Sequence, residues 1–257
     1  MSTPSPVGPA PSLESVRNGS AQLQFGHRGD PVAQVQFLLG VFDDGGFGKN
    51  TKAAIAAFQE AQNIAVSEED KGKVNAATLA ALEAANKEIL DSLAKIDKRN
   101  KKVHLHPELR KKLAALADKL AARGMDALIT DGFRSFAEQD ALFAKVPKVT
   151  NARGGRSNHN YGMAVDMYPV IDGQVFTDTP KGNKQHLAPR FKDIQQAIID
   201  EAEGLGLTSG AHFHKLVDTP HVQLLGENVL NPKTSLEIFN ANGKSFDAVW
   251  NEARKFI

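Results

Sequence analysis

Two side chains that can bind a metal flank a glycine in the segment 157–166, which reads Ser-Asn-His-Asn-Tyr-Gly-Met-Ala-Val-Asp. They are His159 and Asp166, and Gly162 lies between them. Gly162 can adopt backbone torsions that other residues resist, so the chain can fold there and let the two ligands converge. In the strand predicted next, Asp166 shares one face with Ala164 and Tyr168, while Val165 and Met167 take the other. Because the chain has no cysteine, any metal must be held by His, Asp or Glu.

A third ligand is suggested by the segment Asp218-Thr219-Pro220-His221. Pro220 stiffens a short extended stretch, and the apolar residues after His221 are typical of a strand. A zinc ion in a hydrolase takes three protein ligands from histidine and carboxylate and keeps a fourth position for water. We therefore predict a Zn²⁺ site made of His159, Asp166 and His221.

Further residues near these segments could take part in a reaction. Zinc lowers the pKa of its water, but another group must take the proton and return it to the leaving group. Asp218 is the candidate general base. Arg134 follows a predicted buried strand, where loop residues often line a site. Its guanidinium could stabilise an oxyanion or hold a substrate carboxylate, and Gln139 could add a neutral donor.

The sequence around these candidates predicts helices that pack on strands. Leucines at helical spacing indicate an amphipathic helix over 107–123, which Gly124 ends. The stretch 127–130 is typical of a buried strand that leads into Asp131. The C-terminal part should pack helices back onto this domain through Leu236, Phe239, Phe246, Val249 and Trp250.

The N-terminal part predicts a smaller, helical module. Residues 1–20 are rich in Pro, Ser and Gly and are expected to form a flexible leader. A module of three short helices is predicted over 21–85, with the first helix starting at Asp30 and Pro31. A polar helix is then expected to form a linker over 86–104, before a catalytic domain over 105–257.

Several motifs of the predicted module follow a known order: Arg28-Gly29-Asp30, Val35-Gln36, Phe47-Gly48, Phe58-Gln59 and Thr78-Leu79. In order and spacing they resemble the small peptidoglycan-binding module of wall-active enzymes. The usual Asp-Gly-x-x-Gly turn is compressed here to Asp43-Asp44-Gly45-Gly46-Phe47-Gly48. The resemblance implies bacterial peptidoglycan as the partner.

Three motifs of the larger domain are Gly132-Phe133-Arg134-Ser135 with Gln139, Ser157-x-His159-x-x-Gly162-x-Ala164-x-Asp166, and Asp218-x-Pro220-His221. Together they resemble the VanY-type D-alanyl-D-alanine and endolysin-type L-alanyl-D-glutamate peptidases, which share the lysostaphin, D-alanyl and hedgehog zinc fold. The resemblance implies an α+β protein: a small N-terminal three-helix bundle followed by an α+β zinc peptidase domain with a central antiparallel sheet. It also implies the following roles: zinc ligands His159, Asp166 and His221, general base Asp218, transition-state or substrate contact Arg134, and substrate contacts Gln139 and Ser157.

One segment departs from the family pattern. Related sequences often read Gly-Gly-Asp-Trp where this chain has Gly210-Ala211-His212-Phe213-His214. Two histidines two positions apart on a strand point to the same side, so His212 and His214 are rival metal ligands. The alternative is a role in a polar pocket or at the surface.

Charge and hydropathy exclude several other classes of function. The formal net charge of +1 provides no field that would attract nucleic acid. The sequence contains neither a signal peptide nor an apolar run long enough for membrane insertion. We expect a monomer that accumulates in the cytoplasm and reaches the wall after release, as a phage lysin does through a holin pore.

Three hypotheses for the function remain open. The first is an endolysin that hydrolyses the L-Ala-D-Glu bond of the peptidoglycan stem peptide. The second is a D-Ala-D-Ala carboxypeptidase that trims stem peptides with the same zinc chemistry. The third is a wall-binding protein without catalysis, in which the zinc fold is degenerate.

Overall fold

The computed structural model describes residues 8–147, 149–214, 217–226 and 228–257. Contacts divide the chain into two compact units, with the division between Glu88 and Ile89. The first unit is mainly helical, and the second combines helices with an antiparallel sheet. The α+β fold predicted from the sequence is therefore confirmed. None of the helices in the described part of the chain is long and apolar enough to cross a membrane.

The first unit contains the three predicted helices together with a short extra helix and a two-stranded parallel sheet. In chain order its elements are β1 (Gly8–Pro9), α1 (Leu13–Arg17), β2 (His27–Arg28), α2 (Asp30–Leu39), α3 (Lys49–Ala61) and α4 (Ala76–Ile96). Pro31 lies in the first turn of α2, where its missing N–H costs no hydrogen bond, and Gly40 ends the helix in a left-handed conformation. The helices bury one apolar core, which includes Leu23, Val35 and Ile55.

The leader predicted for residues 1–20 is wrong for residues 8–20. Strand β1 pairs with β2, and helix α1 is capped by Ser12, whose side chain accepts a hydrogen bond from Ser15 N–H. Leu13 and Val16 belong to the core of the first unit. The prediction rested on the Pro and Ser content and gave no weight to Leu13 and Val16, which lie at helical spacing. Burial of these two side chains offsets the entropy of ordering this segment. Residues 1–7 lie outside the described residues.

The linker predicted over 86–104 also needs correction. Helix α4 runs without a break from the first unit into the second, so the predicted third helix and the linker helix are one element. Leu93 and Ile96 are buried in the core of the second unit, as is Leu105. This segment is therefore part of the second unit's packing and not a solvated spacer.

The second unit is built on a five-stranded sheet. Its elements are α5 (Pro107–Ala122), β3 (Asp126–Asp131), α6 (Phe136–Phe143), β4 (Ala164–Ile171), β5 (Gln174–Val175), α7 (Ala188–Gly204), β6 (Thr208–Ser209), β7 (His221–Gln223), α8 (Pro232–Ala241) and α9 (Phe246–Ala253). The strand order is β3-β4-β7-β6, with β5 also paired to β4, and all these pairs are antiparallel. The predicted central antiparallel sheet is confirmed, and β4 is its middle strand.

Helices α8 and α9 anchor the loop that precedes β4. Phe239 and Phe246 pack edge-on or tilted against Phe136 and Tyr161. Trp250 is fully buried, and its Nε1–H donates to Tyr161 O at 2.7 Å. The predicted packing of the C-terminal residues onto this domain is confirmed, and it fixes the segment that carries His159.

We predict that Gly162→Ala lowers the free energy of unfolding by about 3 kcal/mol. Gly162 has a φ of 62°, and a Cβ there would lie 1.9 Å from His104 O. Urea unfolding of the wild type and the variant measures the loss. The matched control is Gly173→Ala, because Gly173 has a φ of 74° but nothing within 4 Å of its Cβ position. The control should lose only about 1 kcal/mol, and equal losses would contradict the predicted clash.

Candidate metal centre

The pairing of strands places two predicted ligands side by side. Asp166 lies opposite His221 in the β4-β7 pair and opposite Asp131 in the β3-β4 pair. A register shift between Ile129 and Asp131 brings Asp131 to this position. Burial alternates along β4 from Val165 onward, so the partly exposed Asp166 lies on the face opposite the core. The predicted alternation is confirmed.

The loop before β4 brings His159 to the same place. A 3₁₀ helix spans Asn158–Tyr161 and ends at Gly162 in the left-handed region. Arg134 N–H donates to His159 O at 3.0 Å, and the Asn160 side chain donates to Arg134 O at 2.8 Å. These bonds join the loop to the end of β3, so His159 faces Asp166 and His221.

The three predicted ligands form one compact group. His159 Nε2 lies 3.2 Å from His221 Nδ1 and 3.3 Å from Asp166 Oδ1, and His221 Nδ1 lies 3.5 Å from Asp166 Oδ1. A tetrahedral zinc ion with ligand distances near 2.0–2.1 Å requires ligand atoms about 3.3 Å apart. The donor set and its spacing therefore fit Zn²⁺. No other metal-binding group of this kind occurs among the described residues.

Each imidazole is oriented by a hydrogen bond on the side away from this group. His159 Nδ1–H donates to Gly132 O at 2.8 Å, which leaves the Nε2 lone pair for the metal. His221 Nε2–H donates to Gln223 Oε1 at 3.0 Å, which leaves Nδ1. Gln223 is held in turn, because its amide donates to Leu225 O at 2.7 Å and its Oε1 accepts from Asn158 at 2.7 Å.

The electrostatics of the group lower the pKa of Asp166 and raise the pKa of His221. Burial acts to raise the pKa of Asp166, but the charges and hydrogen bonds of His159 and His221 outweigh it and hold that pKa well below its usual value. Burial acts to lower the pKa of His221, but the hydrogen bond and charge of Asp166 raise it overall. A proton on His221 therefore competes with a metal ion, and metal affinity should fall at low pH.

Asp218 lies in the turn that leads into β7. Its N–H donates to Gly210 O at 2.8 Å, and its carbonyl accepts from His221 N–H at 3.1 Å. A Cβ on Gly210 would lie 2.3 Å from Asp218 O, so only glycine fits there. Partial removal of water from the Asp218 carboxyl group, followed by the charge of Asp166, raises its pKa. A raised pKa suits a group that takes and returns a proton near neutral pH.

Arg134 lies between Asp166 and the two side chains that hold its guanidinium, Asp131 and Gln139. Its guanidinium donates to Asp131 Oδ2 and, at 2.7 Å, to Gln139 Oε1. The Nη2 atom of Arg134, which donates to Asp131, lies 3.8 Å from Asp166 Oδ2. The Arg134 side chain is 13% exposed. Arg134 is therefore a fixed positive charge next to Asp166, one of the candidate ligands.

The substrate contact predicted for Gln139 does not agree with the structure. Gln139 is completely buried, and its amide donates to Ala152 O at 2.8 Å while its oxygen accepts from Arg134. It therefore positions Arg134 and has no surface to offer a substrate. Ser157 is half-buried beside His159, and its N–H donates to Asn160 Oδ1.

The rival ligands His212 and His214 lie outside the metal group. His212 is exposed, and its Nδ1 lies 2.7 Å from Glu203 Oε1. His214 is also exposed. Between them, the Phe213 ring packs against His221 at 5.4 Å. The departure from the family pattern therefore leaves an aromatic ring against His221, and neither histidine joins the group of His159, Asp166 and His221.

Gln223, Asn158 and Asp131 are site residues that the sequence prediction missed. Gln223 follows His221 by two positions on one strand, so both side chains point to the same side. That spacing was the available signal for Gln223. The role of Asp131 depends on a strand register that the sequence does not reveal.

Comparisons with known proteins give matches in both units of the chain. Residues 102–197 match the VanY family, described as D-alanyl-D-alanine carboxypeptidase, and residues 33–82 match a peptidoglycan binding domain. A peptidoglycan L-alanyl-D-glutamate endopeptidase of Bacillus subtilis, CwlK, is 35% identical over 127 residues, which cover 47% of this chain and 74% of that protein.

Two solved structures are also similar. The Serratia marcescens L-Ala D-Glu endopeptidase ChiX shares 22% identity with a TM-score of 0.37, over 54% of this chain and 96% of that one. A vancomycin resistance D,D-pentapeptidase VanY variant crystallised with Zn(II) shares 16% identity with a TM-score of 0.35, over 56% of this chain and 83% of that one.

We predict that Gln223→Leu lowers zinc affinity by about 10- to 100-fold, because His221 loses the acceptor that fixes its tautomer. Competition with a chromogenic chelator measures the affinity. The control is Gln195→Leu, since Gln195 is also buried but its amide donates to a backbone oxygen, Thr219 O at 3.4 Å, and not to a candidate ligand. Unchanged affinity in Gln223→Leu, with the fold intact by circular dichroism, would rule out this role.

Proposed function

We propose that this chain, which belongs to the VanY family of peptidoglycan peptidases, is a zinc-dependent endopeptidase that hydrolyses the L-Ala-D-Glu bond of the stem peptide. The observation that carries the proposal is the convergence of His159, Asp166 and His221 at zinc-ligand spacing, with Asp218 and Arg134 beside them. A degenerate, purely adhesive fold would have no reason to retain all five groups.

His159, Asp166 and His221 would hold the zinc ion. When bound, zinc supplies a Lewis acid that polarises the scissile carbonyl and lowers the pKa of a water molecule to about 7. The hydrogen bonds from His159 to Gly132 and from His221 to Gln223 keep both imidazoles in the tautomer this requires. The two imidazoles therefore do not have to reorient during the reaction.

Asp218 is the proposed general base. As a carboxylate it takes the proton from the attacking water, and as an acid it gives that proton to the leaving amine. The turn that joins Asp218 O to His221 N–H ties the base to a ligand, so their spacing is set by the backbone. Partial desolvation and the Asp166 charge raise its pKa, which favours the return of the proton.

Arg134 is proposed to stabilise the negative charge that develops on the carbonyl oxygen. Asp131 and Gln139 hold its guanidinium in one orientation, so the positive charge is in place before the reaction begins. Ser157, half-buried next to His159, is proposed to contact the substrate.

Two comparisons bear on the choice of bond. The relative with 35% identity is named for the L-alanyl-D-glutamate bond, which favours the endopeptidase. The matching family is described as D-alanyl-D-alanine carboxypeptidase, so that activity is the second candidate. The segment that matches a peptidoglycan binding domain is proposed to hold the enzyme on its polymeric substrate.

We predict that Asp218→Ala keeps its zinc but loses activity by about 100-fold or more, since a general base contributes about 10²- to 10⁴-fold. His159→Ala should lose both zinc and activity. Metal analysis of the purified proteins and hydrolysis of isolated walls measure the two properties. Asp172→Ala is the control, because Asp172 is an exposed carboxylate that pairs with Arg190. Full activity of Asp218→Ala would disprove the assigned base.

We also predict that digestion of isolated walls produces new N-terminal D-glutamate, detected by mass spectrometry of the fragments. Because L-alanine joins the stem peptide to the glycan, this cleavage releases cross-links, and the turbidity of a wall suspension should fall, as expected of a lytic enzyme. A chelator should stop the fall, and added Zn²⁺ should restore it. Loss of terminal D-alanine at constant turbidity would favour the carboxypeptidase instead.

A further inference from the structure

A pocket of about 290 Å³ shares Asp131 and Arg134 with the candidate metal centre. Arg134 Nη2 lies 3.8 Å from Asp166 Oδ2, so this residue connects the pocket wall to a metal ligand. Three other charged residues line the pocket: Lys101, Glu138 and Lys145. By count, the pocket therefore has three positive and two negative side chains.

Both negative side chains are already engaged by the protein. Asp131 accepts from the guanidinium of Arg134. Glu138 accepts from Ser135 N–H at 2.8 Å and from Ser135 Oγ–H at 2.7 Å, in the capping box of α6. The hydrogen bonds from Ser135 lower the pKa of Glu138, and the charges of Lys101 and Arg134 act in the same direction. Neither acid neutralises the two lysines by direct contact.

The two lysines have no such engagement. Within the described residues, the ammonium groups of Lys101 and Lys145 form no ion pair or hydrogen bond. The backbone of Lys101 is nevertheless fixed, because its N–H donates to Asp97 Oδ1 at 2.6 Å and its carbonyl packs against Gly132. Gly132 O is the group that orients His159. The backbone from which the Lys101 side chain extends is thus fixed next to the glycine that orients His159.

We propose that this pocket binds the free carboxylate of the glutamate residue whose nitrogen belongs to the scissile bond. The inference rests on the proposed function and deepens it. A glutamate residue has two carboxyl groups, and the peptide continues through only one of them. The other remains as a carboxylate on the leaving side of the bond, within a few covalent bonds of the reacting nitrogen. Uncommitted ammonium groups next to the metal centre are the partners that such a group requires.

The size of the pocket agrees with an occupant of this kind. Pockets for drug-sized ligands measure roughly 300–1,000 Å³, so this one is at the lower limit. It suits an amino-acid-sized group. A D-alanine terminus also carries a carboxylate. A carboxypeptidase, however, would bind that terminal carboxylate and not the carboxylate of an internal glutamate residue.

The test compares two synthetic stem peptides, L-Ala-D-Glu-L-Lys and the same peptide with the free glutamate carboxylate converted to a carboxamide. We expect the zinc-loaded wild type to cleave the carboxylate peptide with the higher kcat/KM. The double variant Lys101→Met/Lys145→Met should lose this preference, by up to about fivefold for each lysine removed. Raising the salt concentration should reduce the preference of the wild type, because these charges are partly exposed.

The control variant is Lys192→Met, which removes an exposed lysine of α7 that does not line the pocket. It should keep the wild-type preference, and all variants should keep their zinc. If the wild type cleaves both peptides equally, or if the double variant retains the full preference, the pocket proposal fails while the proposed function stands. If the wild type cleaves neither peptide, the proposed function fails and this inference fails with it.

Discussion

The register of the central strand β4 is the constraint on which the metal centre depends. Asp166 faces the site only because it pairs with His221 on one side and Asp131 on the other. A slip of one residue would turn Asp166 toward the core and bring Val165 to the metal position. The apolar residues of β4 that alternate with Asp166 prevent the slip, because exposing them would cost the burial of the whole strand. Core packing therefore determines the ligand geometry.

The remaining ligand is fixed by backbone contacts that tolerate no side chain. Gly162 lets the loop turn beneath His104, and Gly132 lies against the carbonyl of Lys101 while its own carbonyl holds His159. The three candidate ligands are buried or partly buried, and their ligand atoms lie 3.2–3.5 Å apart, so an ion at their centre would join three segments of the chain. Metal binding should for this reason stabilise the fold as well as supply the chemistry.

The sequence was sufficient to predict that His159, Asp166 and His221 form one group, because two of the three lie in one local motif. His159, Gly162 and Asp166 occur within a single turn and strand, whose pattern predicts that the two ligands converge. Burial was harder to predict. Gln139 follows Arg134 by about one helical turn, which places it near Arg134 but does not reveal that it is completely buried. Residues 8–20 are ordered because Leu13 and Val16 are buried in the core of the first unit, and composition alone does not predict that burial.

The positions of the segment 210–214 differ in how strongly their contacts constrain them. Gly210 must remain glycine, because a Cβ there would strike both the carbonyl of Asp218 and the Cβ of His221, and so displace the proposed base and the proposed ligand together. His212 interacts with Glu203 at the surface, away from the metal, so its position carries little constraint. Phe213 packs its ring against His221 at 5.4 Å. We therefore expect changes at His212 and Phe213 to alter the surface beside the candidate site, while Gly210 keeps Asp218 and His221 in place.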